Sequence, residues 1–170
     1  MQHITGENLI EILLSKSMRQ CLEIKFCELP SEVLFERTEE FLKFILLTTK
    51  IQNDTLPIST EIDEIWHAFI LETIEYELLS RHIGRFAHHT ILSDFRESRR
   101  PDLLETDIMF VVAYIMNYGK FSSKTAECWP ATSRLMNCLD FDLLNLNLFA
   151  ESLSAQAGLL RVTLPAKLYF

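Results

Sequence analysis

The chain has 170 residues, 48% of them apolar and 24% charged, which suits one water-facing domain with a substantial core. Four glycines and five prolines are too few turn formers for a hairpin-rich sheet protein, and a formal charge of −8 disfavours direct binding to a phosphate backbone. These bulk properties predict an acidic, helical, cytoplasmic protein.

Residues 7–28 place Leu9, Ile10, Ile12, Leu13, Leu14, Leu22, Ile24 and Phe26 at mostly helical spacing, and Pro30 closes this first predicted helix. Residues 31–51 predict a second amphipathic helix. Val33, Leu34, Phe41, Phe44, Ile45 and Leu47 lie on its core side, with Glu36, Arg37, Glu39, Glu40 and Lys43 on its polar side. After the turn-forming stretch 52–57, Thr60 is placed to cap a third helix, and Asp63 stands where a capping carboxylate belongs. That helix is expected to run unbroken to His82, with Gly84 as its terminator.

Residues 90–106 are polar and read as a surface loop, with a short helical turn as the variant; Arg96, Arg99 and Arg100 form a basic cluster read as solvated, with an anion or partner contact as the alternative. From Thr106 to Asn117 the apolar residues run all the way round, as in a buried central helix ended by Gly119; a core strand is the alternative. Cys128-Trp129-Pro130 punctuates the chain before another helical stretch from Leu135 to Leu153. Residues 159–164 alternate in part and read as a short strand or an ordered tail. The expected fold is all-α: one domain of five or six helices, with residues 1–131 as the helical core and 132–170 packed on it.

Cys21, Cys27, Cys128 and Cys138 match no CxxC zinc spacing and read as free thiols of an intracellular protein. No basic patch leads into an apolar run at the N-terminus, so no secretory leader is expected. No apolar run reaches the ~20 residues of a membrane span. The sequence also lacks a P-loop, a dinucleotide-binding glycine pattern and a nucleophile elbow.

The chemistry-bearing residues concentrate between Asp63 and His89. Asp63 and His67 are four apart, so on a helix they share a face. Carrying that face forward through Ile70, Ile74 and Leu78 points it at the core. An imidazole there needs a partner. Two readings follow. In one, Asp63 orients His67 and caps the helix, with no metal. In the other, Asp63 and His67 ligate a transition metal, zinc or iron, with His88 or His89 as third ligand. A vacant coordination position would then activate water or dioxygen. His82 lies about 22 Å from His67 along an unbroken helix, so the two cannot share an ion. For His88 or His89 to return to His67, the chain must fold back or the helix must kink near 72–75.

One resemblance links these segments. Asp63-x-x-Trp66-His67, then Thr73 and Tyr76, Gly84-x-Phe86, His88-His89, Tyr114, Tyr118-Gly119 and Trp129-Pro130 are similar in order and rough spacing to bacterial relatives of the glycine-rich domain-containing protein-like family. The resemblance covers about residues 30–131. Ala68 stands where relatives often carry Thr, and there is no glycine-rich extension. The family is mostly uncharacterised, so the resemblance implies an outline and little chemistry. Two functions are thus expected from sequence. One is a metal site at Asp63, His67, His88 and His89. The other is a non-catalytic adaptor or inhibitor whose acidic surface docks a basic protein partner, with neither nucleic acid nor membrane involved.

Overall fold

The computed structural model describes residues 6–51, 58–87, 101–154 and 162. Among them are nine helices and no strand: α1 (Gly6–Leu13), α2 (Lys16–Lys25), α3 (Ser31–Ile51), α4 (Thr60–Leu71), α5 (Thr73–Ile83), α6 (Pro101–Tyr118), α7 (Ser123–Glu127), α8 (Pro130–Leu139) and α9 (Leu143–Ser154). The all-α expectation holds, but five or six helices is too low a count. Each long predicted element outside α3 and α6 is broken once.

The breaks have local causes. Residues 7–28 divide at Ser15, whose side chain leaves the helix and accepts a hydrogen bond from the Met18 N–H, starting α2. The stretch 135–153 divides at Asp140, which adopts a left-handed conformation at φ 54° and ends α8. The predicted 60–82 helix divides at Glu72, where φ −89° and ψ 69° stop α4 and start α5. Ser59, not Thr60, caps α4 by accepting from the Ile62 N–H. Gly84 ends α5 as expected, at φ 79°.

Helix α3 is the axis of the fold. It packs on α1, α2, α4 and α6, and α6 in turn packs on α8 and α9. Phe41 meets Phe69 of α4 at 4.6 Å between ring centroids. Phe44 meets Trp66 of α4 at 4.9 Å and Trp129 at 6.4 Å. Helix α6 is buried through every residue from Phe110 to Met116, which explains its all-round apolar sequence. It begins at Pro101, so the last residues of the expected 90–106 loop are helical. Arg134 of α8 donates to both carboxylate oxygens of Asp107 on α6, at 2.7 and 2.5 Å. The Asn147 amide of α9 pairs with the backbone N–H and C=O of Phe121. The stretch after 132 thus packs against α6, with Leu146 and Ala150 in the same core as Trp129 and Phe41. Among the described residues, no helix is long and apolar enough to cross a membrane. The expected strand at 159–164 lies outside the described residues except for Val162, as do Arg96, Arg99 and Arg100.

Candidate functional site

The break at Glu72 rearranges the segment that carries the sequence motif. In α4 the buried stripe is Ile62, Ile65, Trp66 and Phe69. His67 is one position off that stripe, and its side chain is 52% exposed. Its Nδ1 lies 2.9 Å from the Asp63 carbonyl oxygen and 3.3 Å from Asp63 Oδ2, a local pair on the helix surface. The expectation that this face points inward fails, because it rested on one continuous helix. Past the break, Ile74 is 74% exposed.

The metal site is overturned with it. Among the described residues, no group of three or more His, Cys, Asp or Glu side chains is placed to hold a metal ion. Asp63 and His67 are one partly exposed surface pair, and His88 and His89 lie outside the described residues. His82 sits with Arg81 in the last turn of α5, where cationic side chains complement the helix dipole.

The motif residues beside His67 take a structural part. The Trp66 indole N–H donates to the Tyr76 hydroxyl at 3.0 Å, and that hydroxyl donates to the Ala87 carbonyl. On an unbroken helix, residues 66 and 76 would be about 15 Å apart along the axis. The break folds α5 back far enough for the two side chains to meet. Phe86 closes the cluster edge-on to Tyr76 at 5.0 Å.

A second polar cluster, assigned to the solvent side by sequence, lies in the core. Glu40 is 3% exposed and Lys43 is buried beside it. The Glu40 carboxylate accepts from Lys43 Nζ at 2.7 Å, Trp129 Nε1 at 2.7 Å and the Tyr114 hydroxyl at 3.0 Å. Lys43 Nζ also pairs with Glu39 at 2.5 Å and lies 5.4 and 5.5 Å from the ring centroids of Tyr114 and Tyr118. Burial alone would lower the Lys43 pKa. The Glu40 charge and the hydrogen bonds to Glu39 and Glu40 override it, so Lys43 is held above its ordinary range. Burial, with Glu40 next, holds Tyr114 and Tyr118 well above theirs. A sequence signal did exist: Glu40, Phe44 and Leu47 follow i, i+4, i+7, a spacing that puts Glu40 on the apolar stripe.

The third feature is an open groove of about 470 Å³ between α1, α2 and the start of α3. Ile10, Leu14, Leu22, Phe26, Leu34 and Phe35 supply its apolar walls. Two charged side chains, Arg19 and Glu23, line it as well. Arg19 already donates to the carbonyl oxygens of Leu14 and Ile10 at 3.2 and 3.4 Å. Phe35 is 37% exposed on the edge of the groove, and Cys27, also in its lining, is exposed.

No family model matches the chain, and neither the search of curated proteins nor that of solved structures returned a match.

Proposed function

We propose that this chain works by binding a protein partner through the α1–α2–α3 groove. The observation that carries this reading is the groove itself: an open, apolar-walled cleft with room for more than one large side chain. A small polar metabolite would need several convergent polar groups to fix it. Here Arg19 is committed to backbone carbonyls, so the lining favours apolar anchors from a peptide segment. The net charge of −8 favours a basic flank on that segment and faster encounter with it. In this reading the Trp66–Tyr76 and Glu40–Trp129 clusters hold the helices that form and back the groove. Kinship with the glycine-rich domain-containing protein-like relatives belongs to the same proposal. Its support is that Trp66, Tyr76, Phe86, Tyr114 and Trp129, which carry the resemblance, are the residues of those two clusters.

The test is selection of binders from a random peptide display library on the full chain, repeated on Phe35→Asp. Selected peptides should carry aromatic or aliphatic anchors with net positive charge, and should lose at least about tenfold in affinity on the variant. Peptides that bind both proteins equally, or selection of acidic sequences, would refute the proposal.

A further inference from the structure

We infer that the partner segment enters this groove by its C-terminal end, with its terminal α-carboxylate received by the Arg19 guanidinium and its last side chains in the apolar lining. The inference rests on the groove being a docking site, as proposed above. It starts from the two charged side chains of the lining. Arg19 and Glu23 stand four residues apart on α2, the spacing at which opposite charges ordinarily meet across one helical turn. They do not pair with each other, and among the described residues neither forms an ion pair with any other side chain. A chain with eight more acidic than basic side chains has thus left this arginine without a carboxylate, in the wall of an apolar groove.

The hydrogen bonds of Arg19 show what holds it and what is left over. Both come from Nη2, to the carbonyl oxygens of Ile10 and Leu14 at the end of α1. They fix the half-buried guanidinium in place and use one of its three nitrogens. Nε is buried without a partner, and Nη1 is unpaired but not buried. Nη1 is therefore the donor that an incoming anion can reach. A guanidinium already held beside apolar walls binds a carboxylate more strongly than one that swings in water, because its ordering is complete before the ligand arrives.

The rest of the lining selects the kind of anion. A terminal α-carboxylate belongs to the same residue as the last side chain, so it meets Arg19 while that side chain lies against Leu14 and Leu22. An Asp or Glu inside a segment would give up an apolar anchor to do the same. Glu23 selects a peptide over a fatty acid, because a hydrocarbon chain along the groove would leave that carboxylate with no counter-charge. It lies about 6 Å from Arg19 along α2, or about two extended residues back from the peptide's end. A Lys or Arg at that place completes a second pair, which joins the basic flank to the groove itself.

The experiment selects binders to the full chain from a random library displayed with free C-termini, then prepares the enriched peptides as free acids and as C-terminal amides. Fluorescence anisotropy reads Kd on the native chain, on Arg19→Gln and on Phe35→Asp. Enriched sequences should end in an aliphatic or aromatic residue and carry Lys or Arg about two residues earlier. On the native chain the acid should bind at least about tenfold more tightly than its amide, and on Arg19→Gln less than about threefold more tightly. The acid–amide comparison leaves the protein untouched, so it decides the matter even if Arg19→Gln does not fold. Acids and amides that bind alike, yet still require Phe35, would overturn the C-terminal ending and leave the groove as a partner site. So would a preference for the acid that persists unchanged on Arg19→Gln. Phe35-dependent binding of laurate with no peptide enriched would assign the groove to a lipid and overturn both readings. Peptides that bind Phe35→Asp as tightly as the native chain would remove the docking reading itself.

Discussion

Substituting Glu40 by Gln removes one charge from the core and changes little in shape. The carboxylate takes hydrogen bonds from Lys43, Trp129 and Tyr114. An amide offers one oxygen, and its NH₂ group then faces at least one of those donors. Breaking one side of a buried, hydrogen-bonded pair costs about 3–5 kcal/mol. Glu39 stays within 2.5 Å of Lys43 and keeps the ammonium compensated, so the lower end, about 3 kcal/mol, is expected. In urea titration followed by tryptophan fluorescence this is a fall of roughly 1–2 M in the midpoint. Adding Lys43→Met to Glu40→Gln removes the ammonium that, in the single variant, Glu39 alone must compensate. The double variant should therefore be more stable than the sum of the single losses by about 0.5–3 kcal/mol. A Glu40→Gln loss under about 1 kcal/mol, or strictly additive single and double variants, would show that the cluster does not hold α3, α6 and Trp129 together.

Three further predictions follow from the geometry. Tyr76→Phe should cost about 2–3 kcal/mol by thermal or urea unfolding, because it removes the buried hydroxyl that accepts from the Trp66 N–H and donates to the Ala87 carbonyl; His67→Ala, at an exposed pair, should stay within about 0.5 kcal/mol, and the reverse order would contradict the inside–outside assignment of α4. Gly84→Ala should cost about 1 kcal/mol from the φ of 79° alone, since nothing lies within 4 Å of an added Cβ; an unchanged Tm would refute the left-handed stop. Stability should fall at high pH. Burial, then the Glu40 charge, pushes the Cys128 thiol from 9.0 up to about 11, and Lys43, Tyr114 and Tyr118 are also held above their ordinary values. Each of these groups keeps its proton longer in the folded state. Their stabilisation is complete below about pH 9 and is lost as pH rises through the folded values. The urea midpoint should therefore be lower at pH 10.5 than at pH 8, and Cys128→Ala should reduce that difference; equal midpoints would refute it.

The sequence revealed which residues are helical and apolar far better than where the helices stop. Helix α3 and the buried α6 were legible because their patterns are long and regular. The breaks at Ser15 and Asp140 were not, and the one at Glu72 entered only as a kink that a His67–His88 or His67–His89 site would need, because none of the three is a proline or glycine. At Glu72 the cause is tertiary: the chain departs from helical geometry where Tyr76 folds back onto Trp66. That single break accounts for the wrong expectation about His67, since a wheel carried across it assigns faces that do not exist. The Glu40–Lys43 pair was misplaced for a different reason. Charge type was allowed to outvote position on the wheel, and a buried carboxylate is affordable only because Tyr114 and Trp129, 74 and 89 residues away, supply its donors. The groove has no sequence signature at all, since it is the space left between α1, α2 and α3.

Phe44 stands between the two indoles, 4.9 Å from Trp66 and 6.4 Å from Trp129. Both native fluorophores therefore share one wall of the same core, although they belong to opposite halves of the chain. Emission from this protein accordingly reports a single joint, where α3 clamps the N-terminal and C-terminal helices. A shaved Phe44 ring should disturb both signals together, so optical unfolding curves follow the seam between the halves.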